Sequence, residues 1–410
     1  MKLPRAREFG GVARGHLMAL GMAFLVAITA GIFIAQKVFK SNRESASSIP
    51  AALSISNTES LSEVLPQTSP GATAGAVDET FHRVEIMGQE VRSVAVQRDG
   101  KIILSGYFDK ADGDWHNSIV RLNSDGTVDS GFNTKAGGSV HAIALQTDGK
   151  IVLAGDFRNV NGVPHRTVAR VNPDGSLDES FNTGRAGDKE AYCLAIQHDE
   201  KILVGGSFTT FDGASHQRFV RLNANGSVDP AFNARADQGP SRMIAQPDGN
   251  IIASGSFARP TGPRYGFTRV RPDGSPDRSF KPPWLDDCKA MALLPDGKIL
   301  VGKKRGPVMR LNADGSEDPA FVSGLNVDQT IAALVVDTRG RIIVVGEFIV
   351  TGDFQTRCVA RLNSDGSLDR SFSCPRGFRS PIVCAAVTPE NDVIIAGNFA
   401  ARVLRLRGGP

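Results

Sequence analysis

Two short motifs, Asp-x-x-Phe and Lys-Ile-x-x-x-Gly-x-Phe, alternate along this chain about every 50 residues, the second with variations. The first occurs seven times, at Asp78/Phe81, Asp129/Phe132, Asp178/Phe181, Asp229/Phe232, Asp277/Phe280, Asp318/Phe321 and Asp369/Phe372. So regular a repeat constrains the architecture before any single residue is weighed, because each unit buries its apolar face against its neighbours. It names no ligand.

The second full unit shows what one copy encodes. Residues 140–146, VHAIALQ, are apolar, with small Ala set among larger groups, and Asp148-Gly149 supplies a turn. Residues 150–157, KIVLAGDF, are rich in β-branched and apolar side chains, the pattern of a strand covered on both faces. The longer loop RNVNGVPHR follows, then VARVN, the turn Pro173-Asp174-Gly175-Ser176, and a short segment holding Asp178 and Phe181. Each unit reads as four short antiparallel strands, a to d. Radial repetition of such units makes a β-propeller, so the copy number predicts an all-β, seven-bladed β-propeller. A β-solenoid also repeats, but with shorter coils and without paired hairpin turns.

The ends predict ring closure. The last strand c, Val403–Leu406, has no Asp-x-x-Phe after it, and an orphan copy stands at the other end, Val77–Phe81. A tight turn keeps strands c and d in one sheet, so N- and C-terminal strands are expected to pair and close the ring, removing open edges. Strand c carries an Arg in every unit. With the Asp of strand d this predicts one structural ion pair per blade: Arg121–Asp129, Arg170–Asp178, Arg221–Asp229, Arg269–Asp277, Arg310–Asp318, Arg361–Asp369 and Arg405–Asp78.

The pieces LQTDGKIVLAGDF at 145–157, ARVNPDGSLDESFN at 169–182 and ARLNSDGSLDRSF at 360–372 resemble the delta-60 repeat, a bacterial β-propeller repeat. The resemblance spans roughly residues 77–407. It implies the propeller fold and an exported or surface-associated protein, and carries no reaction, cofactor or catalytic residue with it. The fifth unit, KILVGKKRGPVMRL, departs by losing its Phe and long loop, and the seventh, VIIAGNFAARVLRL, by a shortened loop.

Before the repeats, four segments are expected to differ in role. Residues 1–16 are a short basic tail. Residues 17–35, LMALGMAFLVAITAGIFIA, carry neither charge nor Pro and nearly span a bilayer core as a helix. They read as one N-terminal transmembrane helix, an uncleaved signal anchor. Cleavage and secretion is the alternative, but the best site, after Ala30, has Ile28 at its −3 position. Residues 36–76 are Ser/Ala/Thr/Pro-rich, a flexible linker, and 77–410 are the propeller. Positive charge ahead of the apolar stretch places the propeller outside a bacterial cytoplasm. Residues 1–43 hold Lys2, Arg5, Arg7, Arg14, Lys37, Lys40 and Arg43 against Glu8, yet the whole chain has a formal net charge of only +4. Beyond residue 43 the chain therefore carries a formal charge of −2, close to neutral for its size, which argues against a nucleic-acid partner.

Motifs for chemistry are sparse. Five Cys without CxxC spacing argue against a zinc or redox site and for buried small apolar groups. A Cys374–Cys384 disulfide stays open if the domain folds in an oxidising compartment. The turn Asn-x-Asp-Gly-Ser-x-Asp, as at 363–369, resembles the start of a calcium loop without its later Glu; a hairpin turn explains it. His116, His165 and His216 share one register in successive units, where blade spacing would keep them too far apart to share a metal. No metal, cofactor or catalytic residue is expected. Topology puts the tight a–b and c–d turns on one face and the variable b–c and d–a loops on the other, where functional side chains tend to lie. The binding candidates there are Trp115, His116, Lys135, Arg185, Arg235, Tyr265, Trp284, Asp286, Asp287, Arg376 and Arg379. Mixed charge with exposed aromatics suits a protein or cell-envelope glycan partner. The alternative is a hydrolase or lyase with its site at the central funnel of that face.

Overall fold

The computed structural model describes residues 73–237, 239–257, 265–283, 285, 288–327, 330–350, 356–374, 381–399 and 402–409. The chain divides into two units, Met1–Ser60 and Leu61–Pro410, and every described residue lies in the second. The expected segments 1–16 and 17–35, and all but the end of the 36–76 linker, fall outside the described residues. Among the described residues no helix is long and apolar enough to cross a membrane.

Seven antiparallel sheets of three or four strands follow one another along the chain. In each, a first strand pairs with a second, and the second with a third; in the second sheet these are Ala136–Leu145, Ile151–Val160 and Val168–Val171. The first strands of the other sheets are Ile86–Val96, Ala191–Ile196, Gly239–Ala245, Cys288–Leu293, Ile331–Val336 and Ile382–Val387. Each first strand packs beside that of the next sheet, and Ile382–Val387 packs beside Ile86–Val96. We call them the inner strands, and the second and third strands middle and outer. The fold is all-β and propeller-like.

Segment d differs from the sequence expectation. It contributes a single bridge residue, such as Leu177 opposite Val171 or Val77 opposite Leu406, and then turns. The Asp side chain causes this. Asp178 Oδ1 accepts from Ser180 N–H at 3.0 Å and from Ser180 Oγ at 2.6 Å, a local bond that competes with a sheet ladder.

The same Asp is the centre of a recurring joint. Arg170 Nε donates to Asp178 Oδ2 at 2.7 Å, and Lys150 Nζ lies 3.0 Å from that oxygen. The equivalent Nε–carboxylate distances are 2.7 Å for Arg121–Asp129, 2.9 Å for Arg221–Asp229, 2.6 Å for Arg269–Asp277 and 2.7 Å for Arg310–Asp318, Arg361–Asp369 and Arg405–Asp78. Each guanidinium lies over the Phe of its own Asp-x-x-Phe, at 4.6 Å for Arg170 over Phe181 and 5.0 Å for Arg405 over Phe81. Its Nη1 then donates to a turn carbonyl of the following sheet, Arg170 to Ala224 at 2.6 Å and Arg221 to Pro272 at 2.7 Å. Arg405, in the last sheet, donates to Ser124 of the first at 2.6 Å. Burial would raise the Asp178 pKa, but bonds from Ser180, Lys150 and Arg170 outweigh it and hold the carboxyl well below its usual range. The balance brings Asp277 to about 2.

The core is divided between neighbouring sheets. One cluster joins Ile103 and Ile119 of the first sheet to Phe132, Val140, Ile151 and Phe157 at the second. Another joins Phe81, Ile102 and Val120 to Ile394, Ala396 and Val403 of the last sheet. Burying each repeat Phe contributes roughly 2 kcal/mol. Cys374 and Cys384 are not joined by a disulfide; Cys193, Cys288, Cys358 and Cys374 are buried in the intersheet packing.

Candidate functional site

The middle-to-outer connections of the first three sheets are hairpins, where the sequence suggested loops. Lys110 and Ala111 pair with Trp115 and Asp114, Asn159 and Val160 with Pro164 and Val163, and Thr210 and Phe211 with Ser215 and Ala214. Their tips are Asp112-Gly113, Asn161-Gly162 and Asp212-Gly213, with both residues at positive φ (48° and 88° in the first). That is the two-residue turn whose twist matches a hairpin. Each tip side chain reaches back to the connection entering its own sheet. Asp112 Oδ1 accepts from Glu85 N–H at 2.8 Å, Asn161 Oδ1 from Lys135 N–H at 2.8 Å and Asp212 Oδ1 from Arg185 N–H at 3.0 Å. Lys135 and Arg185 therefore project into solvent from anchored backbone.

A cleft of about 340 Å³ opens beside the first of these side chains, lined by Asn117, Asn133, Lys135, Asn159 and Asn161 with small Ala136, Gly137 and Gly162. Asn117 comes from the first sheet's hairpin; the others belong to the second sheet and the connection into it. At Gly137 a Cβ would lie 2.2 Å from Asn159 Nδ2, so any larger residue there would displace the Asn159 amide. Asn161 is committed, since Nδ2 donates to Gly175 O at 3.0 Å. The side-chain amides of Asn117, Asn133 and Asn159 make no hydrogen bond to any described residue, although Asn117 and Asn159 are half-buried. Lys135 has no carboxylate within ion-pair distance among the described residues.

The hairpin carrying Asn117 also presents Trp115, 59% exposed, with Lys110 Nζ 4.8 Å from its ring. His116 stands between them, half-buried. Burial lowers its pKa, Asp114 opposes this and the nearby Lys135 charge adds to it, so the imidazole is neutral near pH 7. Trp115 and His116 precede the lining residue Asn117 on the same hairpin, whereas Lys135 lines the cleft itself. Arg185 and Arg235 are exposed on the connections into the third and fourth sheets and do not line it. Tyr265 is corrected from loop to strand: it opens the outer strand Tyr265–Val270 and pairs with Phe257, because its β-branched and aromatic neighbours extend the ladder. Trp284, Asp286, Asp287, Arg376 and Arg379 lie outside the described residues. The backbone N–H groups of His116, His165 and His216 donate to Asp109, Arg158 and Thr209, each where its hairpin rejoins the sheet. Among the described residues no three His, Cys, Asp or Glu side chains are placed to share a metal ion.

Sequence reading missed the four asparagines. Asn161-Gly162 is a legible turn signal, but no local pattern distinguishes Asn117, Asn133 and Asn159 from ordinary loop residues.

A family model described as a domain of unknown function (DUF5122) beta-propeller matches residues 97–132, 146–181, 197–232, 246–280 and 340–372. The chain matches no curated protein. Among solved structures it is similar to the WD40 beta propeller domain of Doa1 (13% identity, TM-score 0.53), covering 82% of this chain and 96% of that one. It is also similar to virginiamycin B lyase from Staphylococcus aureus (12%, 0.51; 79% and 98% covered). A third is the extracellular domain of a putative one-component system from B. thetaiotaomicron (10%, 0.51; 84% of this chain and 42% of that chain). At these identities the likeness is one of fold. The sheet order and these comparisons together support an all-β, propeller-like fold, in which five repeated stretches are similar to the DUF5122 beta-propeller model.

Proposed function

We propose that the seven sheets are the blades of one closed propeller, held outside a bacterial cytoplasm by the 17–35 anchor, and that it binds a cell-envelope glycan in the asparagine cleft. Closure is supported by the Val77–Leu406 bridge, the Arg405–Asp78 pair and the Arg405–Ser124 bond. Placement outside the cytoplasm rests on the charge around the anchor, and secretion after cleavage is its alternative. Protease added to intact spheroplasts should cut the propeller; full protection would refute the placement.

The uncommitted amides of Asn117, Asn133 and Asn159 carry the ligand reading. A half-buried amide without a partner forgoes hydrogen bonds that a ligand can restore. Sugar hydroxyls both donate and accept, matching an amide's paired oxygen and NH₂. Trp115, exposed two residues before Asn117, offers an aromatic face on the same hairpin, and Lys135 a cation for an acidic substituent. The cleft lining carries no carboxylate, which favours binding over the acid–base chemistry of a hydrolase or lyase.

The test is a glycan array with the full chain in mild detergent, followed by calorimetry on the best glycan. Asn159→Ala and Trp115→Ala should each weaken binding about tenfold, the loss of one or two good hydrogen bonds or a stacking face. An array without signal, or binding indifferent to both variants, would refute the cleft as the site.

A further inference from the structure

At one equivalent position every inner strand skips a residue in its pairing with the middle strand, namely Arg92, His141, Tyr192, Ser241, Lys289, Ala332 and Val383; the first two strands also skip Gln89 and Gly137. Such a bulge bends the strand and re-aims the unpaired side chain. It also explains the Gly of Lys-Ile-x-x-x-Gly-x-Phe. The bulge pushes an inner-strand carbonyl against the middle strand, so a Cβ on Gly106, Gly155 or Gly346 would lie 2.1 Å from the oxygen of Glu90, Ser139 or Thr330. The repeat motif therefore encodes a ring of re-aimed side chains on the innermost strands.

That ring is chemically lopsided. Arg92, His141, Tyr192 and Ser241 follow one another on the first four sheets, while Ala332 and Val383 stand on the last two. The His141 and Tyr192 rings lie nearly parallel, centroids 6.1 Å apart at 15°. His141 Nδ1 donates to Ala191 O at 3.1 Å, and Tyr192 Oη to Glu190 Oε1 at 2.9 Å, so both rings are held in place. Glu90 pairs with Arg92. Next to Ser241, Arg242 is exposed; Nη1 donates to Ser241 O at 2.8 Å, and no carboxylate lies within ion-pair distance among the described residues. Arg242 stands on the inner strand Gly239–Ala245, which packs beside Ala191–Ile196, the inner strand that carries Tyr192.

We propose that this arc binds an acidic saccharide unit, with Arg242 taking its carboxylate or phosphate group and the His141–Tyr192 pair its ring face. The site is distinct from the asparagine cleft and rests only on the closed-ring reading. A guanidinium fork suits either oxyanion through paired charge-assisted bonds. Aromatic faces suit the C–H side of a sugar ring.

The test is calorimetry on the full chain in mild detergent at low ionic strength, with glucose, glucuronate and glucose 6-phosphate as probes. At least one acidic probe should bind about tenfold or more tightly than glucose. Preference for glucuronate assigns a carboxylate, and preference for glucose 6-phosphate a phosphoryl group. Arg242→Gln should remove about tenfold of the acidic probe's affinity, a larger loss than it causes for glucose; Tyr192→Ala should weaken both. Acidic probes that bind no better than glucose overturn the proposal, as does full affinity in Arg242→Gln. Loss in Asn159→Ala with none in Arg242→Gln would move the anion to Lys135 and overturn this site while leaving the cleft intact.

Discussion

At the residue scale the molecule depends on one carboxylate per sheet. Asp178 receives Arg170, Lys150 and Ser180, and both Asp178 and Arg170 are buried. Asp178→Ala would leave a buried guanidinium without its counter-charge, a loss of about 3 kcal/mol. A urea titration checks this, and an unchanged midpoint would show that the pair contributes nothing net. Acid should act at every sheet together. The pKa values of Asp78, Asp129, Asp178, Asp229, Asp277, Asp318 and Asp369 are all lowered. A carboxylate whose pKa falls on folding stabilises above its unfolded value, and that stability is lost as pH falls through the folded one. Stability measured by urea should hold at neutral pH and drop between about pH 4 and about pH 2, where Asp277 titrates. A flat profile across that window would contradict the linkage.

At the scale of elements, the sequence was legible where structure depends on near neighbours. The Asp-Gly turns, the β-branched middle strands and the eight-residue spacing from Arg170 to Asp178 across one turn are local patterns. Segment d was misread as a short fourth strand because Asp178 bonds to Ser180 and bends the chain after one bridge residue. The bulges were not legible, since a pairing shift shows only once both strands are in place. The motif Gly was their trace. Gly155→Ala should cost about 2 kcal/mol, because its Cβ would meet Ser139 O at 2.1 Å. Gly162→Ala, with nothing within 4 Å but a φ of 80°, should cost about 1 kcal/mol. Equal midpoints for the two variants would argue that the bulge yields freely.

At the scale of the whole molecule, intersheet joints outnumber any special contact at the ends, so the last sheet should unfold with the rest if the ring is closed. A chain stopped after residue 402 lacks Val403–Leu406 and hence the partners of Val77 and Asp78. It should lose its single cooperative thermal transition or melt more than about 10 °C lower, as expected when an open edge replaces a packed one. A melt matching the full chain would refute closure.

By itself the sequence determined the repeat, the all-β class and the tight Asp-Gly turns between the strands of each unit, because period-two patterning and turn residues act over a few neighbours. Only the tertiary structure brought together the residues of the proposed sites. Asn117 meets Asn133 and Asn159 because two sheets pack side by side, and His141 meets Tyr192 because adjacent inner strands bulge at one level. Such juxtapositions follow from how separate sheets pack, and no window of sequence contains both partners.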